Sequence, residues 1–400
     1  TRFCQVTGVQ TCALPIYGIW IAGLGQAAIA GIGFVTPIFM ILNGVSVGLG
    51  SGATSSISRF VGAKNQQKAS QSAEHSLLII LIASIILTIV LLISQKTLLI
   101  SYGATGQALD EALNYATPLF LGLIGFMFAN GASGILRGEG DMKRAMYAVI
   151  VSVILNAILD PIFIYVLGFG SAGASLATVF SSVSSACVIL YWILIKKDTY
   201  IDVKLKKFKW DSNIVKDILK VGIPASIDMF VMSIAMSMYL SFIATIGGEY
   251  GIAAFSSGNR LYLFAIMPLT AIGSAVTAVS GSAYGAKNGE YISRAHIFGS
   301  KFGILFGSAV TILLVVFAPQ LSLLFAYTSD TAALVPGITQ YLRIACLCLP
   351  FTGAGMVSSF LYQGLGKGFM SLSWTIIREV IFTVSLTYLF GIIIGWGFCQ

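Results

Sequence analysis

Ten apolar segments, each long enough to cross a bilayer as a helix, succeed one another at roughly 29–57, 73–95, 113–135, 144–167, 172–195, 218–245, 252–281, 297–318, 335–361 and 369–395. About 20 residues at 1.5 Å rise per residue span the hydrocarbon core, so this alternation of long apolar runs and short polar connections reads as a helical membrane bundle. A shorter stretch, 17–22, ends at the Gly23–Gly25 turn and reads as the last part of one earlier span. Composition agrees: 57% of residues are apolar and 10% charged, against about 25% charged in a soluble domain. Mean hydropathy is +0.91. The fold class is all-α, a polytopic membrane protein.

The charges orient the spans. A net charge of +8 could suggest a nucleic-acid partner, but the basic residues occupy alternate connections. One set of loops carries eighteen of them, from Arg59, Lys64 and Lys68 through Arg137, Lys143 and Arg144 to Lys287, Arg294, Lys301 and Lys367; the opposite set has Lys96 alone. By the positive-inside rule the first set is cytoplasmic, and the charge reports orientation, not nucleic acid. The segment Lys196 to Lys220 is the longest polar connection and is expected to be a solvated cytoplasmic linker. The six cysteines include no CxxC pair, and His75 and His296 lie in separate polar segments, so metal-ligand spacing is absent. No dinucleotide fingerprint, phosphate-binding loop or nucleophile elbow is present. An intramembrane enzyme, which would need a nucleophile with its base or a pair of acids, is a remote alternative.

The linker separates two related halves. Gly25, Ile29-Ala30 and Gly62-Ala63-Lys64-Asn65 recur as Gly248, Ile252-Ala253 and Gly285-Ala286-Lys287-Asn288 at a constant offset of 223 residues. Further along, Tyr115, Gly138 and Gly140 recur as Tyr341, Gly364 and Gly366 at an offset of 226. Six spans per half is an even number, so the halves point the same way and should be related by a pseudo-two-fold axis along the membrane normal. The expected architecture is two six-helix bundles, twelve helices when complete and about eleven here. Its boundaries are a non-native leader at 1–16, an amino-terminal bundle at 17–196, a linker at 197–217 and a carboxy-terminal bundle at 218–400 that lacks its last helix. The leader ends in the run VTGVQTCALPI, Val6 to Ile16, which looks like sequencing-adaptor read-through. We expect a fragment, open at both ends.

Within this frame Asn156-Ala157-Ile158-Leu159-Asp160-Pro161 stands out. A carboxylate near the bilayer centre costs roughly 2.5–3.5 kcal/mol on insertion scales, so one that is kept faces a cavity or a partner. Asn156 and Asp160 are four apart and share a helix face. Pro161 lacks an N–H and crowds the carbonyl of Ala157, which predicts a bend there. Carboxylate, amide and loosened carbonyl together suggest a cation or proton site.

Read in order, several motifs resemble one family. They are Gly23-Leu24-Gly25 with Ala28-Ile29-Ala30, Ser58-Arg59 with Gly62-Ala63-Lys64-Asn65, Arg137-Gly138-Glu139-Gly140-Asp141, Asn156-x-x-x-Asp160-Pro161, Gly173-Ala174-Ser175-Leu176-Ala177-Thr178, and Gly222-Ile223-Pro224. The chain resembles the multidrug and toxic compound extrusion (MATE) transporters, most closely their DinF-like and related prokaryotic branches. The resemblance implies a secondary antiporter, not an enzyme, that exports small cationic amphipathic compounds in exchange for H⁺ or Na⁺. It implies no cofactor, no nucleic-acid partner, a monomer, and a multi-pass location in the prokaryotic plasma membrane. Carried over, the ion and substrate ligands are Asp160 and Asn156, which would also hold Na⁺ in a sodium-coupled protein, with Thr178, Tyr115 and Asn130. The family's first-span aspartate falls at position 17, where this chain has Tyr17; we expect the junction with the leader to lie within that codon. Asp228, one turn beyond Pro224, is a possible second-lobe ligand. A lipid-linked oligosaccharide flippase of the same superfamily is the alternative, although the acidic and neutral cavity residues favour cationic cargo.

Overall fold

The computed structural model describes residues 24–196, 198–204, 208–323 and 334–389. The leader, the first-span remnant with Tyr17, linker residues Lys197, Lys206 and Lys207, and the end of the last span lie outside them. The first half comprises α1 (Gln26–Gly62), α2 (Gln66–Ser101), α3 (Gly106–Leu121), α4 (Leu123–Glu139), α5 (Met142–Pro161) and α6 (Gly170–Leu190). π-Helical turns prolong α5 over Ile162–Val166 and α6 over Tyr191–Lys196. The second half comprises α7 (Ser212–Gly248), α8 (Tyr250–Gly285), α9 (Gly289–Val316) and the short α10 (Ala318–Leu323). It continues with α11 (Val335–Ala345), α12 (Leu349–Gly364), α13 (Gly368–Ile376), a π-helical segment Ile377–Val384 and α14 (Ser385–Tyr388). Nine helical stretches among the described residues are long and apolar enough to cross a membrane, and the bent pair α3–α4 makes a tenth. Ile82, Ile85, Ile86, Ile89 and Ile93 of α2 are exposed, as side chains facing lipid must be.

One local expectation is corrected and another takes a specific form. The segment 113–135, read as one span, bends by 51° between α3 and α4. Pro118 withholds a backbone donor just before the break, and Gly122 at the break lies so close to Val179 that a Cβ would overlap it. At Pro161, where a bend is expected, the α-helix gives way to a π-helical turn. Met142–Val166 runs through as one span because the chain widens into a π turn, where the Leu167 N–H donates to the Ile162 carbonyl at 2.9 Å.

The repeat is visible in backbone geometry. Gly25 and Gly248 both have positive φ, 91° and 55°, as do Gly140 and Gly366, at 96° and 76°. Lys64 and Lys287 share the left-handed conformation at φ 55° and 56°, a conformation that costs an L-residue roughly 1–2 kcal/mol. In each turn the next residue caps the following helix: Asn65 Oδ1 accepts from Lys68 N–H at 3.0 Å, and Asn288 Oδ1 from Tyr291 N–H at 3.0 Å. Inside each lobe the Thr54 hydroxyl donates to the Gly134 carbonyl at 2.8 Å, and its counterpart Thr277 to that of Phe360 at 2.9 Å.

The lobes meet along α1 and α8, each of which reaches its counterpart's lobe. A Cβ on Gly62 would overlap the carbonyl oxygen of Ser282, and one on Gly285 would overlap that of Arg59. These are equivalent contacts exchanged across the pseudo-axis. Interlobe hydrogen bonds gather at the same cytoplasmic end. Ser55 donates to the Gln363 carbonyl, and both terminal nitrogens of Arg59 bind Asp217, at 3.0 and 2.8 Å.

The linker also departs from expectation. Its last six residues, 212–217, are already helical, because Asp211 accepts from Asn213 N–H at 2.9 Å and so starts α7 at Ser212. Upstream, Ile201 and Val203 are buried in a core cluster with Ala53, Ile57 and Leu77. Ile201, Asp202, Val203 and Lys204 alternate apolar and charged, so an extended chain buries one face and wets the other. The first lobe holds this segment through its backbone. Glu139 accepts from Ile201 N–H, Ser70 from Asp202, Glu74 from Lys204 at 2.7 Å and His75 Nε2 from Asp211 at 2.9 Å.

Candidate functional site

The first lobe places Asp160 near the outer end of α5, where it is 1% exposed. The pairing expected from spacing is formed: Asn156 Nδ2 donates to Asp160 Oδ1 at 3.3 Å. Oδ2 of Asp160 is buried with no hydrogen-bond partner, and no ion pair neutralises the group among the described residues. A buried charged oxygen without a partner is costly, and accepting a proton or a cation removes that cost.

Thr178 and Tyr115 lie at comparable depth. Asp160 is six residues from Val166, Thr178 eight from Gly170 and Tyr115 nine from Gly106. At 1.5 Å per residue these are roughly 9, 12 and 14 Å from the outer ends of their helices. Tyr115 is buried in the same apolar cluster as Ile164, one turn beyond Asp160. The Thr178 hydroxyl turns back to its own helix, donating to the Ala174 carbonyl at 3.2 Å. Asn130 likewise donates to the Phe126 carbonyl at 3.2 Å, and it lies deeper, where its own carbonyl abuts Gly50 of α1. Neither residue reaches Asp160 by a hydrogen bond in this conformation. The described residues hold no cluster of three or more His, Cys, Asp or Glu side chains able to bind a metal.

Sequence reasoning passed over Glu111 of α3, whose carboxylate accepts a short hydrogen bond from buried Ser171 at the start of α6. Its signal was weak: an acid in an amphipathic helix end reads as a solvated face, and its partner lies 60 residues away.

In the second lobe Asp228 is buried on α7 and sits in a charged network. Thr375 and Arg378 are its polar neighbours, Arg378 acting on it electrostatically without an ion pair, and its Oδ1 has no hydrogen-bond partner. Arg378 pairs with its neighbour Glu379 at 2.9 Å, and the Tyr239 hydroxyl donates to Glu379 Oε2 at 3.2 Å. The π-helical segment carries both Arg378 and Glu379, and such segments are often found at functional sites.

A two-lobed helical membrane protein with a buried carboxylate in each lobe fits a membrane transporter. The MatE family profile matches residues 8–162 and 224–389, and the chain belongs to that family. It is a multi-pass membrane transporter and not an enzyme. The chain is 28% identical over 329 residues to "Probable multidrug resistance protein YoeA" of Bacillus subtilis (strain 168), covering 80% of this chain and 70% of that protein. It is 27% identical over 343 residues to "Multidrug export protein MepA" of Staphylococcus aureus (strain N315), covering 85% and 74%. A crystal structure of MATE in complex with MaL6 superposes with a TM-score of 0.97 at 38% identity, over 99% of this chain and 88% of that one.

Proposed function

We propose that the protein exports cationic amphipathic compounds across the prokaryotic plasma membrane as a monomer, in exchange for an inward-moving ion, with Asp160 as the shared binding group. The observation that carries this reading is the buried Asp160 carboxylate, with one unpartnered oxygen and no ion pair among the described residues. A fixed negative charge that either an ion or a cationic substrate can satisfy makes the two compete, and competition for one charge gives exchange. The names of the relatives, which refer to multidrug resistance and multidrug export, support drug export, and the negative charge of Asp160 favours a cationic cargo.

Of the two coupling ions, a proton is the better match to this conformation. It needs one carboxylate oxygen, which Asp160 offers. Na⁺ needs several oxygens at once, and neither Thr178 nor Asn130 is hydrogen-bonded to Asp160, each donating instead to a carbonyl of its own helix. The interlobe contacts at the cytoplasmic ends of α1 and α8 favour a cycle in which the lobes part on that side to load cargo. The test is exchange in proteoliposomes under a proton gradient or a sodium gradient alone. Proton-driven efflux of an organic cation that is lost in Asp160→Asn is expected. Efflux driven by sodium alone would replace the proton assignment, and unchanged exchange in Asp160→Asn would remove the carboxylate from the mechanism.

A further inference from the structure

At the cytoplasmic end of the seam, α1, the start of α2 and the first turns of α7 enclose a cavity of about 330 Å³ whose wall includes Phe60, Lys68, Asp211, Lys216, Asp217 and Lys220. Its charges differ in what they are free to do. Asp217 is held by both terminal nitrogens of Arg59, and Asp211 accepts from the Asn213 N–H as the cap of α7. Lys68, Lys216 and Lys220 are exposed, and none of them forms an ion pair among the described residues. Lys68 lies over the Phe60 ring, 5.9 Å from its centroid. Both acids are committed inside the protein, while three lysines line the same cavity without an ion pair among the described residues. Such a site takes a compact oxyanion, for which lysines act as point charges.

Its position narrows the choice. Trp210, next to Asp211, is exposed, and its indole N–H donates to Ser212 Oγ at 3.0 Å. Tryptophan gathers at the headgroup level, and α7 runs from this point into its apolar span. The cavity therefore opens at the cytoplasmic headgroup layer, where anionic lipid attracts juxtamembrane lysines.

We propose that this cavity binds the phosphate headgroup of an anionic lipid of the cytoplasmic leaflet, clasped by Lys68 of the first lobe and by Lys216 and Lys220 of the second. The lysines stand on opposite sides of the seam, so the occupant ties the lobes together beside the Arg59–Asp217 pair. Parting of the lobes on this side separates the lysines, and the lipid favours the closed state through its higher affinity for it. This inference rests on the seam and is independent of the role of Asp160.

The experiment uses the whole protein in neutral detergent, titrated with short-chain phosphatidylglycerol, with phosphatidylcholine or with inorganic phosphate. Affinity is read by thermal shift, and amide exchange is followed in segments 59–68 and 212–220. We expect phosphatidylglycerol to bind and to slow exchange in both segments. Each Lys→Gln change should weaken it roughly five-fold, the factor that about 1 kcal/mol represents, and Lys68→Arg should retain it. The distant control Lys301→Gln should bind as the parent does. The proposal is overturned if the triple variant Lys68→Gln/Lys216→Gln/Lys220→Gln binds phosphatidylglycerol like the parent, if exchange slows on one side of the seam only, or if inorganic phosphate alone reproduces the effect.

Discussion

The two lobes carry the same scaffold and different chemistry. Gly25 and Gly248, Lys64 and Lys287, and Thr54 and Thr277 repeat one another in conformation or hydrogen bonding. The buried acids do not repeat. Each has one buried oxygen without a hydrogen-bond partner, but Asp160 has only an amide of its own helix beside it, whereas Asp228 lies within the electrostatic reach of Arg378, a guanidinium that pairs with Glu379. A carboxylate that already has a cation nearby gains little from a second one. A carboxylate with none gains the full benefit of charge neutralisation. On the proposed reading, the pseudo-symmetric frame rocks as one device while ion binding is confined to one side of it.

That contrast can be broken most forcefully at the acids themselves. Asp160→Asn should lower ion-driven exchange at least ~100-fold, the scale expected when an essential charge with no substitute is removed. Asp228→Asn should keep exchange within a few-fold of the parent. Equal losses in proteoliposome assays would mean that the lobes share the ion.

The scaffold should behave in the opposite way. Gly62→Ala and Gly285→Ala each drive a Cβ into a carbonyl across the seam, with an expected cost to the cytoplasm-closed state of about 1–3 kcal/mol. Their effects on amide exchange at the ends of α1 and α8 should match, because each glycine meets the counterpart of the other's contact. Unequal effects would show that the seam is not symmetric in energy.

Arg378→Gln makes the second lobe resemble the first. Arg378 and Glu379 are only 24% and 19% exposed at their side chains, so we expect a stability loss of about 1–3 kcal/mol, below that of a fully buried pair. The sharper expectation is a gain: an additional ion-binding equivalent that disappears when Asp228→Asn is added. Absence of that gain would mean that the arginine does not set the difference between the lobes.

The smallest effect is expected at Asn156. Its amide contributes one hydrogen bond to Asp160, worth roughly 1 kcal/mol net, so Asn156→Ala should change apparent ion affinity about five-fold without abolishing exchange. A loss as complete as that of Asp160→Asn would make the amide a direct ligand.

Much of this organisation was legible in the sequence because hydropathy and repetition are local signals. The ten spans and the glycine and GAKN repeats needed no partner to be read. The Asn156–Asp160 pair was legible for the same reason, since residues four apart on a helix meet whatever surrounds them. What escaped depends on distant packing. Nothing near Gly122 says that Val179 will press against it, and nothing near Asp228 announces Thr375 and Arg378 some 150 residues later. The linker was misread because its charges dominate its composition, while two alternating apolar residues, Ile201 and Val203, suffice to dock it. The hydroxyl of Thr178 and the amide of Asn130 have the right chemistry for a ligand, and the sequence does not reveal that each donates its proton to a carbonyl of its own helix and leaves its oxygen lone pairs available.

The most direct measurement is ion release on substrate binding, followed in detergent with an organic cation and a pH or sodium indicator. The parent protein and Asp228→Asn should each release about one ion per bound cation, the stoichiometry of competition for a single carboxylate, and Asp160→Asn should release none. Release from Asp160→Asn, or its loss in Asp228→Asn alone, would contradict the assignment of ion exchange to the first lobe.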